Sequence, residues 1–182
     1  MGDAKADNGS VVGGVKITKA DQKKVRVYTE PGVPVDVAII DADGNVLYQG
    51  AIAKGKARST SFDLNSLPDG QYTMTAGNSN WWMSQPINIQ NNALVVNGTN
   101  AMQLVHPTVT AYEKGKVEVV MPATNVTDAS VSIYDMQNVL VHNGTLQGSV
   151  GRFDLSALPS GAYTFVVGPN QKQFTTRVDV RN

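Results

Sequence analysis

The stretch Phe62-Asp63-Leu64-Asn65-Ser66-Leu67-Pro68-Asp69-Gly70-Gln71-Tyr72-Thr73 returns 91 residues later as Phe153-Asp154-Leu155-Ser156-Ala157-Leu158-Pro159-Ser160-Gly161-Ala162-Tyr163-Thr164, with eight of the twelve positions identical. Phe62 and Leu64 alternate with Ser61 and Asp63, so they share one face of a strand. Leu67-Pro68-Asp69-Gly70 then stops that strand. Proline presets φ at the second position of a type I turn, and glycine suits the fourth. Tyr72, Met74 and Ala76 resume the alternation, as Tyr163, Phe165 and Val167 do in the second copy. The unit reads as strand, corner, strand. A tyrosine just past the corner gives its ring to a core and its hydroxyl to nearby backbone, the tyrosine corner of β-sandwiches. Turn chemistry accounts for the repeated residues. Phe62, Asp63, Leu64, Pro68, Gly70 and Tyr72, with Phe153, Asp154, Leu155, Pro159, Gly161 and Tyr163, are therefore framework residues, the aromatic ones placed in the cores.

Working outward, the same order of elements surrounds both copies. Val15-Lys-Ile-Thr-Lys19 alternates as a first strand, Asp21-Gln22-Lys23 turns the chain, and Val25 and Val27 alternate again. Pro31-Gly32 and Pro34 break the run. Val35, Val37 and Ile39 form a buried face, Asp41 to Asn45 a hairpin turn, and Val46 to Gln49 the return strand, followed by a polar connection from Ala51 to Arg58. Trp81, Met83, Ile87 and Ile89 share one parity of a last strand. In the second half Lys116-Val-Glu-Val119 matches Lys24-Val-Arg-Val27, and Val131 to Asp135 matches Val37 to Asp41. Asn138-Val-Leu140 is matched to Asn45-Val-Leu47 across a one-residue deletion. Seven short strands per copy, with turn signals every eight to twelve residues, predict an all-β chain of two tandem immunoglobulin-like (fibronectin III-like) sandwiches. The expected limits are 10–90 and 104–182, with an ordered connector over 91–103 in which Ala93-Leu-Val-Val96 reads as a strand before an Asn97-Gly98 turn.

Composition narrows the function. Of 182 residues, 16% are charged, below the roughly 25% of an average soluble protein. Asn, Ser, Thr, Gln and Gly make up the difference, a surface common in extracellular β-proteins. Net charge is zero, with no basic run or face, so nucleic acid is a poor partner. The lack of cysteine removes disulfides, thiolate metal sites and a cysteine nucleophile. No stretch approaches 18 consecutive apolar residues, so no transmembrane helix is expected. Met1 to Ser10 is polar, with no apolar core of a leader. It reads as the mature end of a protein whose signal peptide has been removed.

Ser132-Ile-Tyr-Asp-Met136, Asn138-Val-Leu140, the second corner motif and Gln173-Phe-Thr-Thr-Arg-Val178 resemble the C-terminal sorting domains of type IX secretion cargo. Those domains are Ig-like sandwiches from one Gram-negative phylum. A related group of small secreted Ig-like domains from the same phylum carries similar motifs. Here the pattern occurs twice, and Asn138 stands where the family usually has glycine after the Asp-x-x turn. The resemblance implies an exported, Ig-like, non-enzymatic protein more than a working sorting tag.

No constellation of side chains reads as catalytic, and no metal or cofactor is expected. Asp41-x-Asp43-Gly44-Asn45 resembles the start of a calcium loop, but Ile52 stands where an EF-hand needs glutamate. Neither His106 nor His142 is expected to have a counterpart in the other copy, and neither has a second ligand at metal spacing. Asp63 and Asp154 supply one acid per copy, not a pair. Trp81-Trp82, where the second copy has Lys172-Gln173, is the main difference between the copies. Adjacent strand residues face opposite ways. Trp81 is assigned to the core and Trp82 to the outer face or a packed junction, where it is the candidate contact for a partner. The expected role is structural, adhesive or protein-binding, at the cell surface or in the periplasm. The alternatives are a carbohydrate-binding module using the Trp81–Trp82 edge and a secretion-linked sorting module.

Overall fold

The computed structural model describes residues 11–12, 15–29, 34–53, 59–97, 100–124 and 128–182. The Pro31-Gly32 break, most of the polar connection before Ser59 and Gly98 lie outside them. The chain divides into two compact units, Met1–Gln103 and Leu104–Asn182. The first contains β1 (Val11–Val12), β2 (Val15–Asp21), β3 (Lys24–Tyr28), β4 (Val35–Asp41), β5 (Val46–Ile52), β6 (Ser59–Asp63), β7 (Gly70–Gly77), β8 (Trp81–Gln90) and β9 (Ala93–Val96). β10 (Met102–Val105) spans the division. The second contains β11 (Thr108–Glu113), β12 (Lys116–Val120), β13 (Ala123–Thr124), β14 (Ser130–Tyr134), β15 (Leu140–Thr145), β16 (Val150–Asp154), β17 (Gly161–Gly168) and β18 (Phe174–Val180).

Each unit is an antiparallel sandwich of the same topology. In the first, β2-β3-β6 forms one sheet, extended by β1, and β5-β4-β7-β8 forms the other, with β9 on β8. In the second, β11-β12-β16 faces β15-β14-β17-β18. Seven strands therefore correspond one to one, three against four, the immunoglobulin-like (fibronectin III-like) arrangement. The alternation of apolar residues sets which face each strand buries. Val15, Ile17, Val25 and Val27 of one sheet meet Val37, Ile39, Met74 and Met83 of the other, all essentially without exposure. Val117, Val119, Ile133, Phe165 and Val167 are equally buried in the second unit. Each such side chain contributes about 1.5–3 kcal/mol through burial.

The registers within each copy align one copy on the other and correct part of the sequence alignment. Ile40 pairs Val46, and Tyr134 pairs Leu140, so Val46 corresponds to Leu140. No residue is deleted: Asn138 answers Gly44, and Val139 answers Asn45. Both Gly44 and Asn138 have left-handed backbones, φ 88° and 60°, which is why asparagine replaces glycine there. The same registers place His142 opposite Ile133 as Tyr48 lies opposite Ile39. His142 thus has a counterpart, contrary to the sequence expectation. β5 also runs on to Ile52, which is buried.

Phe62 and Phe153 are half-buried rather than central. Each lies on the end strand of its sheet, at the edge of the sandwich. Tyr48 meets Phe62 edge-on at 5.3 Å, and His142 meets Phe153 at 5.2 Å.

Asn91 and Asn92, at φ 52° and 60°, form a two-residue turn between β8 and β9, the type I′ geometry that asparagine tolerates. Leu94 and Val96 then enter the core of the first sandwich. No helix among the described residues is long and apolar enough to cross a membrane.

Candidate functional site

At the β7–β8 hairpin, the Asn78 side-chain oxygen accepts the N–H groups of Asn80 (2.8 Å) and Trp81 (3.2 Å), and the Asn78 N–H donates to the Trp81 carbonyl (2.9 Å). This short cap starts β8 with Trp81 facing inward, 8% exposed, and Trp82 half-buried on the outer face. A Cβ on Gly77 would sit 2.8 Å from the Trp81 carbonyl oxygen and 3.0 Å from both Cα and Cδ1 of Trp82. Glycine is what allows the indole to lie across the strand pair. In the second copy Gly168 holds the same place beside Lys172 and Gln173. There Lys172 Nζ stands 5.2 Å from the Phe174 ring centroid, a cation–π contact instead of an indole.

The duplicated corner is a framework device. Tyr72 Oη donates to the Pro68 carbonyl at 2.7 Å, and Tyr163 Oη to the Pro159 carbonyl at 2.6 Å. The backbone bond that closes the corner runs from the Leu67 N–H to the Leu64 carbonyl (3.0 Å), and from Leu158 to Leu155 (2.9 Å). It lies three residues before the Leu67–Gly70 turn expected from the proline, and the Leu67 carbonyl that would have closed that turn accepts the Lys23 ammonium instead, as the Leu158 carbonyl accepts the Asn182 amide. The Asp63 carboxylate accepts the Asn65 N–H and that of Asp154 the Ser156 N–H, each at 2.9 Å. Ser156 Oγ also donates to Asp154, and chiefly through that bond holds its carboxyl below the usual carboxylate range.

The Asp41 turn is likewise closed on itself. Its Oδ1 accepts the N–H groups of Asp43 (3.0 Å) and Asn45 (2.8 Å), and its Oδ2 accepts Asn45 Nδ2 (2.9 Å). Asn45 holds this carboxyl below its ordinary value. Asp135 repeats the pattern with Gln137 and Val139. Both carboxylates act as turn clasps, an arrangement that explains the calcium-like spacing. Among the described residues no three His, Cys, Asp or Glu side chains gather into a metal-binding group.

The described residues of the first sandwich form at least two concavities. One, of about 440 Å³, lies where the sheets part, between Tyr48 and Leu47 of β5 and Phe62 of β6. The other, of about 530 Å³, lies on the outer face of β7 and β8, walled by β9. Gln71, Thr73, Pro86, Asn88, Val95 and Asn97 line it, with Asp41 and Ala42 at one end and Asn100 at the other. Its volume falls in the range of small-molecule sites. Residues beyond Trp82 were missed in the sequence because amides alternating with apolar residues look like ordinary outer-face positions. The Asn91-Asn92 pair between two apolar runs was the available signal that β9 folds back to build a wall.

No family model matches the chain, and no curated protein does. Among solved structures it is similar to the BSP domain of a biofilm associated protein, at 14% identity and a TM-score of 0.34 over 89% of this chain and 28% of that one. It is similar to a two-domain fibronectin type III segment of chicken tenascin, at 9% identity and a TM-score of 0.33, covering 92% and 97% of the two chains. A β-glucuronidase of Faecalibacterium prausnitzii matches at 12% identity and a TM-score of 0.38, covering 90% of this chain and 35% of that one. At such scores these likenesses carry no function across. The fold rests on this chain's own paired sheets and tyrosine corners.

Proposed function

We propose that this chain is a non-catalytic, exported protein with a structural, adhesive or protein-binding role at the bacterial surface or in the periplasm. The observation that carries the reading is how its ionisable groups are engaged. Asp41, Asp135 and Asp154 clasp turns, the Lys23 ammonium donates to the Leu67 carbonyl at 2.8 Å, and Lys116–Glu113 and Arg152–Glu118 are surface pairs at 2.9 Å. These charges serve the framework. The uncharged polar surface and the resemblance of the second copy to secretion sorting domains support export. Fractionation of native cells tests it: the protein is expected with the envelope or the medium, and recovery in the cytoplasm overturns the reading. The same resemblance supports a sorting role for residues 104–182, which fails if a reporter carrying them stays in the periplasm of a type IX secretor.

A second reading is glycan contact through the Trp81–Trp82 edge. It is favoured by the half-exposed Trp82 indole laid across Gly77, since aromatic faces stack on sugar rings. A glycan array comparing wild type with Trp82→Ala tests it, and an unchanged array removes it.

A further inference from the structure

We propose that the groove on the outer face of the first sandwich binds a neutral oligosaccharide. The inference rests on the reading of the chain as a binding protein and gives that reading a site and a ligand class.

The floor of the groove is a sheet face. Its backbone groups are engaged in the β4–β7, β7–β8 and β8–β9 ladders, so recognition falls to side chains. Those are the amides of Gln71, Asn88 and Asn100 and the hydroxyl of Thr73. An amide offers donors and an acceptor together, which is what adjacent sugar hydroxyls require. Among the described residues, the side-chain amides of Gln71 and Asn88 have no hydrogen-bond partner. Val95, 53% exposed, and Pro86 add C–H surface beside them.

Charge selects a neutral ligand. Asp41 is the one carboxylate among the described lining residues, and both its oxygens are taken by its own turn. An extended peptide adding as a strand would need unpaired main-chain groups, and among the described residues the β7 and β8 backbones under the groove are already paired on their ladders.

The second copy shows that the fold does not demand these residues. The registers set Gln71 against Ala162, Asn88 against Asp179 and Pro86 against Arg177. Ala42 answers Met136, whose sulfur lies 3.6 Å from where a Cβ on Gly161 would stand. Methionine covers that corner in the second sandwich, and alanine leaves it open in the first.

The test is titration of the full chain with cello-, manno- and xylo-oligosaccharides, followed by calorimetry and by thermal melting as a folding check. Wild type should bind at least one series. Asn88→Ala and Ala42→Met, the latter importing the second copy's own residue, should weaken binding tenfold or more with unchanged melting. Trp82→Ala should leave it within twofold. Loss with Trp82→Ala and retention with Ala42→Met would move the site to the tryptophan edge and overturn the proposal. Absence of binding to every series, or Asn88-dependent binding of peptides instead, would overturn the ligand class. Either failure leaves the binding-protein reading standing if the protein still fractionates with the envelope, whereas cytoplasmic recovery removes that reading itself.

Discussion

The two sandwiches close the same corner with different donors. In the first, Lys23 is 5% exposed and its ammonium donates to the Leu67 carbonyl from the β2–β3 turn. In the second the equivalent turn residue is Gly115, at φ 67°, and a Cβ there would lie 2.7 Å from Ser156 Cα. The Asn182 side chain occupies that space, its Nδ2 donating to the carbonyls of Leu155 and Leu158. Neighbouring bonds repeat faithfully. The Leu64 N–H donates to the Lys23 carbonyl (2.8 Å) as Leu155 does to Gly115 (2.7 Å). The Asn91 N–H meets the Asp69 carboxylate (2.8 Å) as that of Asn182 meets the Ser160 hydroxyl (2.9 Å). What the corner requires is a satisfied carbonyl, since a buried unpaired one costs about 1–3 kcal/mol. Which residue satisfies it is free to drift.

The deepest contrast between the copies lies in their cores. Met74 and Phe165 occupy equivalent fully buried positions, and Phe165 also meets Phe153 edge-on at 6.2 Å. Phe165→Ala should cost the second sandwich about 3–5 kcal/mol, and Met74→Ala should cost the first about 2–5 kcal/mol. Urea denaturation of each variant measures both, and a Phe165→Ala loss below that of Met74→Ala would show that the aromatic pair adds nothing.

Next come the corner donors. Lys23→Met should destabilise the first sandwich alone, by about 1.5–3 kcal/mol for a bond from a charged group. Asn182→Ala should affect the second alone, by about 0.5–1.5 kcal/mol per neutral bond lost. Amide exchange read at Leu64 and Leu155 separates them; equal acceleration at both sites in either variant would break the claim that the donors act locally.

Removing the tyrosine hydroxyls should erase the contrast. Tyr72→Phe and Tyr163→Phe should each lose about 0.5–1.5 kcal/mol, because both bonds have the same partner and nearly the same length. A loss confined to one copy, seen by denaturation, would show that the corners are not equivalent.

The smallest effect is one of pH. Ser156 lowers the Asp154 pKa from its ordinary 3.8, chiefly through its hydroxyl. A carboxyl lowered on folding stabilises the fold fully above its unfolded value, and that contribution is lost as pH falls through its folded value. Ser156→Ala should therefore be less stable than wild type near neutrality and converge with it in acid. A difference that persists unchanged in acid, measured by denaturation midpoints, would exclude this origin.

Much of the fold was legible in the chain. Alternation in β4, β7 and β8 named the inward residues, and the repeated proline, glycine and tyrosine named the corners. The site was less legible. The Trp81–Trp82 alternation could be read, but Gln71 and Asn88 look like any outward residues until β9 folds beside them. Phe62 and Phe153 were assigned to cores they only border, because period two gives the face of a strand and not how far the opposite sheet extends over it.

The sequence by itself determined the duplication, the strand faces and the turn chemistry, since each depends on residues a few positions apart. The tertiary structure alone decided what depends on distance along the chain. It matched Asn138 to Gly44, brought Lys23 to Leu67 and Asn182 to Leu158, and set Met136 beside Gly161 where the first copy has Ala42. Those outcomes follow from which side chains the folded sheets bring within a hydrogen bond or a van der Waals contact of one another. No local pattern encodes that proximity.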